Sequence, residues 1–138
     1  MRIVVFDTNV LLDLFVFNDF RALHLKQALI DGKFDALASP KTLAEFADVI
    51  ARPLFALSAE QQEKIILQWH GLARVIADEE LTKAPWVCTD PDDQVFLDLA
   101  YTNKPCTLMS KDNEVLRFEK KAVINQVLIT ADYNALAL

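Results

Sequence analysis

Glycine is nearly absent from this 138-residue chain, which holds only Gly32 and Gly71. Neither forms a Gly-rich turn after an apolar run. That removes the dinucleotide fingerprint and the phosphate-cradling loop, whose backbones approach their ligands only because glycine has no side chain. A Gly-x-Ser-x-Gly nucleophile turn is missing as well. Cysteine is equally scarce: Cys88 and Cys106 are too few for a disulfide framework and lack metal-ligand spacing, so a reducing, cytoplasmic setting is expected. The two histidines, His24 and His70, share no spacing with other ligands and read as surface or partly buried helix residues. No apolar run approaches the roughly 20 residues of a spanning helix. The N-terminal residues also lack the pattern of a cleaved secretory leader, and no membrane partner is expected. Basic excess is missing too, with 14 Lys and Arg against 20 Asp and Glu, a net charge of −6. This argues against a protein that simply coats nucleic acid. It does not exclude an enzyme acting on nucleic acid, because acids gathered in a metal site inflate the negative count while the ions reverse the local sign.

Apolar residues make up 53% of the chain, ample for a core, and no linker, low-complexity stretch or repeat interrupts them. One domain over residues 1–138 is expected. Short apolar runs alternate with helical patterns. Residues 2–6, Phe34 to Ala38, Val75 to Ala77, Cys106 to Met109 and Val127 to Ile129 read as strands. Between them, helical spacing runs from Asn9 to about Asp31, with a break near Phe17-Asn18-Asp19 where Asn18 is placed to cap a second helix, and Gly32 ends it. Ser39-Pro40 opens a helix stopped by Pro53, and Ser58-Ala59-Glu60-Gln61 has capping-box form for a helix to about Ala73. Residues 78–90 read as a loop, and Pro91 starts a helix through Tyr101. A short helix through Phe118 and a terminal helix at 131–137 complete the pattern. Strands separated by helices imply crossover connections, hence an α/β fold: three layers, α/β/α, around a mainly parallel sheet of about five strands. Such sheets bind ligands beyond the carboxyl ends of their strands.

Acids stand at those ends. Asp7 follows the first strand within the apolar run MRIVVFDTNVLLDLF, and Asp112 follows Cys106-Thr107-Leu108-Met109. Glu45 lies among the core-type residues Leu43, Phe46 and Ala47, and Asp90, Asp92 and Asp93 surround a helix start. Three or four converging carboxylates suit a hard divalent cation, which prefers oxygen ligands and would activate water against a phosphate. Each acid also has a plain structural use. The Asp90–Asp93 group suits a helix N-terminus, Asp112 a turn or cap, and Glu45 a solvated helix face. Asp7, with so little solvent around it, is the hardest to explain that way.

The segments VVFDTNVLL (4–12), SPKTLAEFADVI (39–50), TDPDDQVFLDLA (89–100) and LMSKDNEVL (108–116) resemble, in order and spacing, those of the PIN-domain ribonucleases, particularly the VapC-like toxins of toxin–antitoxin pairs. VLITADYNAL (127–136) resembles the family's closing strand and helix. The resemblance implies an acidic quartet of Asp7, Glu45, Asp93 and Asp112 that is both catalytic and metal-binding. Asp93 is chosen because the family acid precedes the apolar helix pattern, here Val95-Phe96 and Leu99-Ala100. Asp90 becomes a secondary acid or cap, Asn9 and Ser110 hold carboxylates or metal by hydrogen bonds, and Glu114 stands where many relatives have Asp. The resemblance also implies one or two Mg²⁺ or Mn²⁺ ions, cleavage of RNA by activated water to leave a 5′-phosphate, a homodimer, and inhibition by a cognate antitoxin protein. Lys111, Lys41 and Arg117 are the leading candidates for RNA contact, followed by Arg52, Lys120 and Lys121. Trp69, Trp86 and Phe15-Val16-Phe17 are placed at spacings typical of core.

Three other readings fit less well. A haloacid-dehalogenase-type phosphohydrolase needs a second Asp where Asn9 stands. A phosphorylation receiver domain needs an acidic neighbour to Asp7. A non-catalytic binding or assembly module would have no need of the acidic quartet, which is present.

Overall fold

The computed structural model describes residues 1–136. Its centre is a five-stranded sheet of β1 (Ile3–Phe6), β2 (Asp35–Ala38), β3 (Arg74–Val75), β4 (Cys106–Met109) and β5 (Val127–Thr130). The order is β3-β2-β1-β4-β5, and every neighbouring pair is parallel. The connections carry α1 (Thr8–Phe15), α2 (Leu23–Ile30), α3 (Pro40–Ile50), α4 (Ala59–Leu72), α5 (Pro91–Thr102), α6 (Asn113–Leu116) and α7 (Glu119–Ile124). Among the described residues, no helix is long and apolar enough to cross a membrane.

Side chains alternate across the sheet and build one core on each face. Val4, Phe6, Ala36, Ala38 and Met109 point into a core with α1, α2, α3 and Trp69 of α4. Val5, Leu37, Cys106, Leu108, Val127 and Ile129 point the other way, against α5, α6 and Ala122 of α7. Trp69 packs against Phe6 and Phe15, with ring centroids 6.1 and 5.8 Å apart. Trp86 meets Tyr101 edge-on at 5.5 Å. Both indoles and Phe15 are core, as their spacing suggests, while Phe17 is exposed.

The helix starts follow their sequence signals. Ser39 and Ser58 each form a reciprocal capping box, with Thr42 and Gln61. Four expectations are corrected. Asn18 takes a left-handed conformation at φ +46°, and Asp19 caps instead, opening a single 3₁₀ turn, Phe20–Ala22, ahead of α2. Residues 78–90 contain a 3₁₀ turn at Asp78–Glu80. A further helix, α7, follows Phe118. Residues 133–136 form turns and no helix, and Ala137 lies outside the described residues. There Asp132 receives the amide of Asn134 while its own amide donates to the Thr130 hydroxyl, so side chains compete with the helical bonds.

That C-terminal turn is tied to the middle of the fold. Asp13 of α1 is buried, and its Oδ2 accepts hydrogen bonds from the Tyr133 hydroxyl and, at 2.7 Å, from Lys111 Nζ. His24 Nε2 lies 2.9 Å from the Tyr133 carbonyl. A buried carboxylate persists only when paired and hydrogen-bonded, so this cluster joins α1, the segment after β4 and the chain's end as one unit. Tyr133→Phe leaves Asp13 with Lys111 alone and should lower stability by about 1–3 kcal/mol. Urea unfolding checks this, and an unchanged midpoint would show that the bond carries no net stability.

Candidate metal centre

The chain reverses its direction of progress across the sheet between β1 and β4. The sequence β1, β2, β3 runs to one side, and β4 then returns to the other side of β1. A crevice opens at such a switch point, beyond the strands' carboxyl ends. Asp7 is the first residue past β1, and its amide donates to the Met109 carbonyl at 2.9 Å. Ser110 is the first residue past β4, with its amide bonded to Thr130 on β5 at 3.1 Å. The sheet ladder thus fixes the backbone on both sides of the crevice.

Three carboxylates meet there. One oxygen from each of Asp7, Asp93 and Asp112 lies within 4.8 Å of the others. Asp7 is 3% exposed and caps α1, its Oδ1 accepting the Thr8 amide at 2.7 Å. Its Oδ2 accepts from the Ser110 hydroxyl at 2.7 Å and from Asn9 Nδ2 at 3.3 Å. Asn9 and Ser110 therefore hold the carboxylate. The Ser110 oxygen also accepts the Asp112 amide at 3.0 Å, so one hydroxyl aligns two of the three acids. Asp112 caps α6. Asp93 stands in the first turn of α5, whose cap is Asp90, accepting the Asp92 amide at 2.9 Å.

Glu45 lies outside the trio and is joined to it by Thr8, whose hydroxyl donates to Glu45 Oε2 at 2.7 Å. Glu114 is also outside. Its side chain is exposed, and its Oε2 pairs with Arg117 at 3.3 Å. That pair, with Arg117 stacked over Phe118, occupies one of the expected RNA contacts. Lys111 is occupied as well, its amide donating to Asn9 Oδ1 at 3.0 Å and its ammonium paired with Asp13. The Lys41 amide donates to Asp78 Oδ2 at 3.2 Å, and its ammonium has no partner among the described residues.

Thr8 and Asp13 were not among the residues expected at the site. Thr8 had a signal, a hydroxyl directly beside a strand-end acid. Asp13 had none, because its partners stand 98 and 120 residues away.

The electrostatics follow from this packing. Burial raises the Asp7 carboxyl above the usual range, against the lowering effect of the Ser110 and Thr8 bonds, and Asp112 raises it further. Glu45 is raised by burial and then by Asp7, despite the Thr8 bond. Asp93 is pushed up to about 7, by burial first and then by the charges of Asp7 and Asp112. Acids held together at the cost of their ionised forms fit a hard divalent cation, whose charge removes the repulsion and whose ligands are oxygens.

A PIN domain model matches residues 3–114, from β1 into α6. The chain belongs to the PIN-domain family. No curated protein matches it in sequence. The PIN fold is a nuclease fold, and the matched segment contains Asp7, Glu45, Asp93 and Asp112. α7, β5 and the Tyr133 turn lie beyond it.

The raised carboxyls give the metal-free PIN domain a particular pH dependence. In the folded state Asp93 keeps its proton up to about pH 7, whereas unfolded aspartate ionises near 3.9. The folded state binds the extra proton, so stability falls as pH rises across that window. Asp93→Asn should flatten this fall and, at pH 8 in EDTA, raise the melting temperature above that of the native chain. Thermal melts from pH 5 to 8 test it, and a variant less stable at every pH would show that Asp93 contributes no net repulsion.

Proposed function

We propose that this PIN domain is a metal-dependent endoribonuclease acting as the toxin of a toxin–antitoxin pair. The observation that carries the nuclease reading is the convergence of Asp7, Asp93 and Asp112 oxygens at the switch point of the sheet. The order of its acidic segments, like that of VapC-like toxins, supports the toxin role. In this reading residues 1–138 work as one domain, in a cytoplasmic homodimer restrained by a cognate antitoxin protein.

Asp7, Asp93 and Asp112 would hold Mg²⁺ or Mn²⁺, with Glu45 completing the catalytic quartet. The bound cation would supply positive charge that acidifies a water and offsets charge on the attacked phosphate. The chain's own residues do the rest. Ser110 and Asn9 fix the direction of the Asp7 carboxylate. Thr8 holds Oε2 of Glu45 and leaves Oε1 to take a proton from the attacking water. That water's oxygen bonds to phosphorus as the bond to the 3′ oxygen breaks, leaving a 5′-phosphate and a 3′-hydroxyl once the leaving oxygen gains a proton. Asp90 acts through the start of α5, and Glu114 is peripheral.

Purified protein should cleave a mixed structured RNA pool with Mg²⁺ or Mn²⁺ and stop in EDTA. Asp7→Asn should reduce cleavage to background while keeping the folded circular dichroism spectrum. Asp90→Asn should cost less than Asp93→Asn, and Glu114→Gln less than either. Full metal-dependent activity in Asp7→Asn would overturn this assignment, and inactivity of the native chain toward every RNA would leave a non-catalytic PIN domain.

A further inference from the structure

The acidic centre accounts for chemistry at a phosphate but not for how a polyanion is held beside so many carboxylates. Most of the basic side chains are already engaged. Arg21, Lys64, Arg74, Lys111 and Arg117 have acidic partners. Arg2, Lys26 and Lys104 donate to carbonyl or amide oxygens. Among the described residues, Lys33, Lys41, Arg52, Lys83, Lys120 and Lys121 have neither an ion pair nor a side-chain hydrogen bond.

Two of these, Lys41 and Lys83, line one cleft, of about 740 Å³. It runs between α3 and α5, past Glu45 and Asp48 on one helix and Asp92 and Val95 on the other, with Leu81 on the loop before α5. Glu45 belongs to this cleft and, through Thr8, to the acidic centre, so the two are continuous. Two of the cleft's acids already accept hydrogen bonds, although Oδ1 of Asp78 is buried without a partner among the described residues. Asp98 Oδ1 accepts from the Ala84 amide and from Gln94 Nε2, and Asp78 Oδ2 accepts the Lys41 amide. Asp48 and Asp92 remain as exposed acceptors, beside half-buried Leu81 and Val95.

Two unpaired ammonium groups, an apolar strip and exposed carboxylates match the parts of one nucleotide. Lysine suits phosphate oxygens, apolar contact suits the face of a base, and carboxylates accept from the amino edge of cytosine and similar groups. A base is open to such contacts only when it is unpaired and splayed from its neighbours. A volume of this size lies within the range of single small-ligand sites.

We propose that the cleft between α3 and α5 binds one unpaired nucleotide flanking the scissile phosphate, with Lys41 and Lys83 on its phosphates and Leu81 and Val95 against its base. This rests on the nuclease reading for the place of the scissile phosphate, and adds to it a substrate-binding subsite on Lys41 and Lys83.

Two measurements test it. The first follows backbone amide NMR signals of ¹⁵N-labelled protein in Ca²⁺ as an unstructured hexaribonucleotide is added, with a blunt RNA duplex of the same length as the comparison. Shifts should concentrate in residues 41–48, 78–83 and 91–98, and the duplex should bind at least tenfold more weakly. Lys83→Ala should weaken single-strand binding about three- to tenfold, and Lys33→Ala, in a separate pocket beside Arg2 and Pro105, should leave it as it is. The second compares cleavage kinetics of the native chain and Lys83→Ala in Mn²⁺, where KM should rise more than kcat falls. Shifts that map elsewhere, absent shifts, equal duplex binding, or a Lys83→Ala protein that binds like the native chain would each overturn the subsite. Binding in the cleft without cleavage by the native chain would support the subsite and sink the nuclease reading. Cleavage with KM unmoved by Lys83→Ala would do the reverse.

Discussion

Pairing of β1 with β4, through Val4 with Thr107, Val5 with Leu108 and Phe6 with Met109, is the constraint on which the rest of this structure depends. Adjacent strands lie about 4.8 Å apart, and the residues just past their ends inherit that spacing. Asp7 and the Ser110–Asp112 segment are therefore brought together by backbone hydrogen bonds and two apolar cores, whatever their charges. The first turn of α5 adds Asp93. Opposing this, the site offers capped helix starts at α1 and α6, the amides of Thr8 and Glu114, and the Ser110 and Asn9 donors. A helix N-terminus stabilises a nearby anion by about 0.3–1 kcal/mol. Two like charges at 4 Å repel by about 1 kcal/mol in water and about 4 at an effective dielectric constant of 20. Those donors serve Asp7 and Asp112, while the Asp93 carboxyl is raised, by burial first and by its acidic neighbours second. A proton or a cation must complete the site.

The strands and the helix starts were legible because their signals are local. Cys106 to Met109 was read to the residue, the Ser39 and Ser58 caps formed as their sequences suggest, and Asp7 stood out because apolar neighbours left it no solvent. Asp112 shows why structural and functional readings of an acid need not compete. Asp112 caps a helix and also stands in the trio, since a helix N-terminus is where a carboxylate is least costly to keep charged. Pairings set by the tertiary fold were beyond local reading. Asp13 looks like any polar interruption of an amphipathic helix until Lys111 and Tyr133 arrive from the far end of the chain. The six residues of α7 are too few for helical periodicity to show, and the end of the chain follows side-chain bonds of Asp132 in place of a helical repeat.

Those distant pairings also change how basic residues should be read. Lys111 sits beside Asp112 in sequence, and adjacency alone made it a candidate for RNA contact. In the structure its amide is fixed to Asn9 and its ammonium to Asp13. Releasing it to meet a phosphate would take the counter-charge from the buried Asp13 and leave it the Tyr133 hydroxyl alone, against a cost of about 3–5 kcal/mol for breaking a fully buried pair. A hydrogen bond to a charged group returns about 1.5–3 kcal/mol, so the exchange is unfavourable. Arg117 has less to lose, since its Glu114 pair is exposed and such pairs contribute about 0–1 kcal/mol. The difference between these two cations lies in burial of their partners, a quantity that sequence adjacency does not contain.

A net charge of −6 then weighs less against a nucleic-acid substrate than it does for a protein that binds by phosphate contacts alone. At physiological salt, charges more than about 8 Å apart are largely screened, so acids on remote surfaces of the chain act weakly on a strand at the crevice. The local balance decides. Around the crevice the carboxylates carry negative charge that a divalent cation would cancel or reverse, while Lys41 and Lys83 line the adjoining cleft. With no cation bound, the same groups repel a phosphate, so substrate affinity is tied to metal occupancy by charge alone. In the proposed reading, binding of RNA and binding of metal would be one linked equilibrium, each favouring the other by the same free energy. That reciprocity follows from the geometry of Asp7, Asp93 and Asp112, and it needs no movement of the fold.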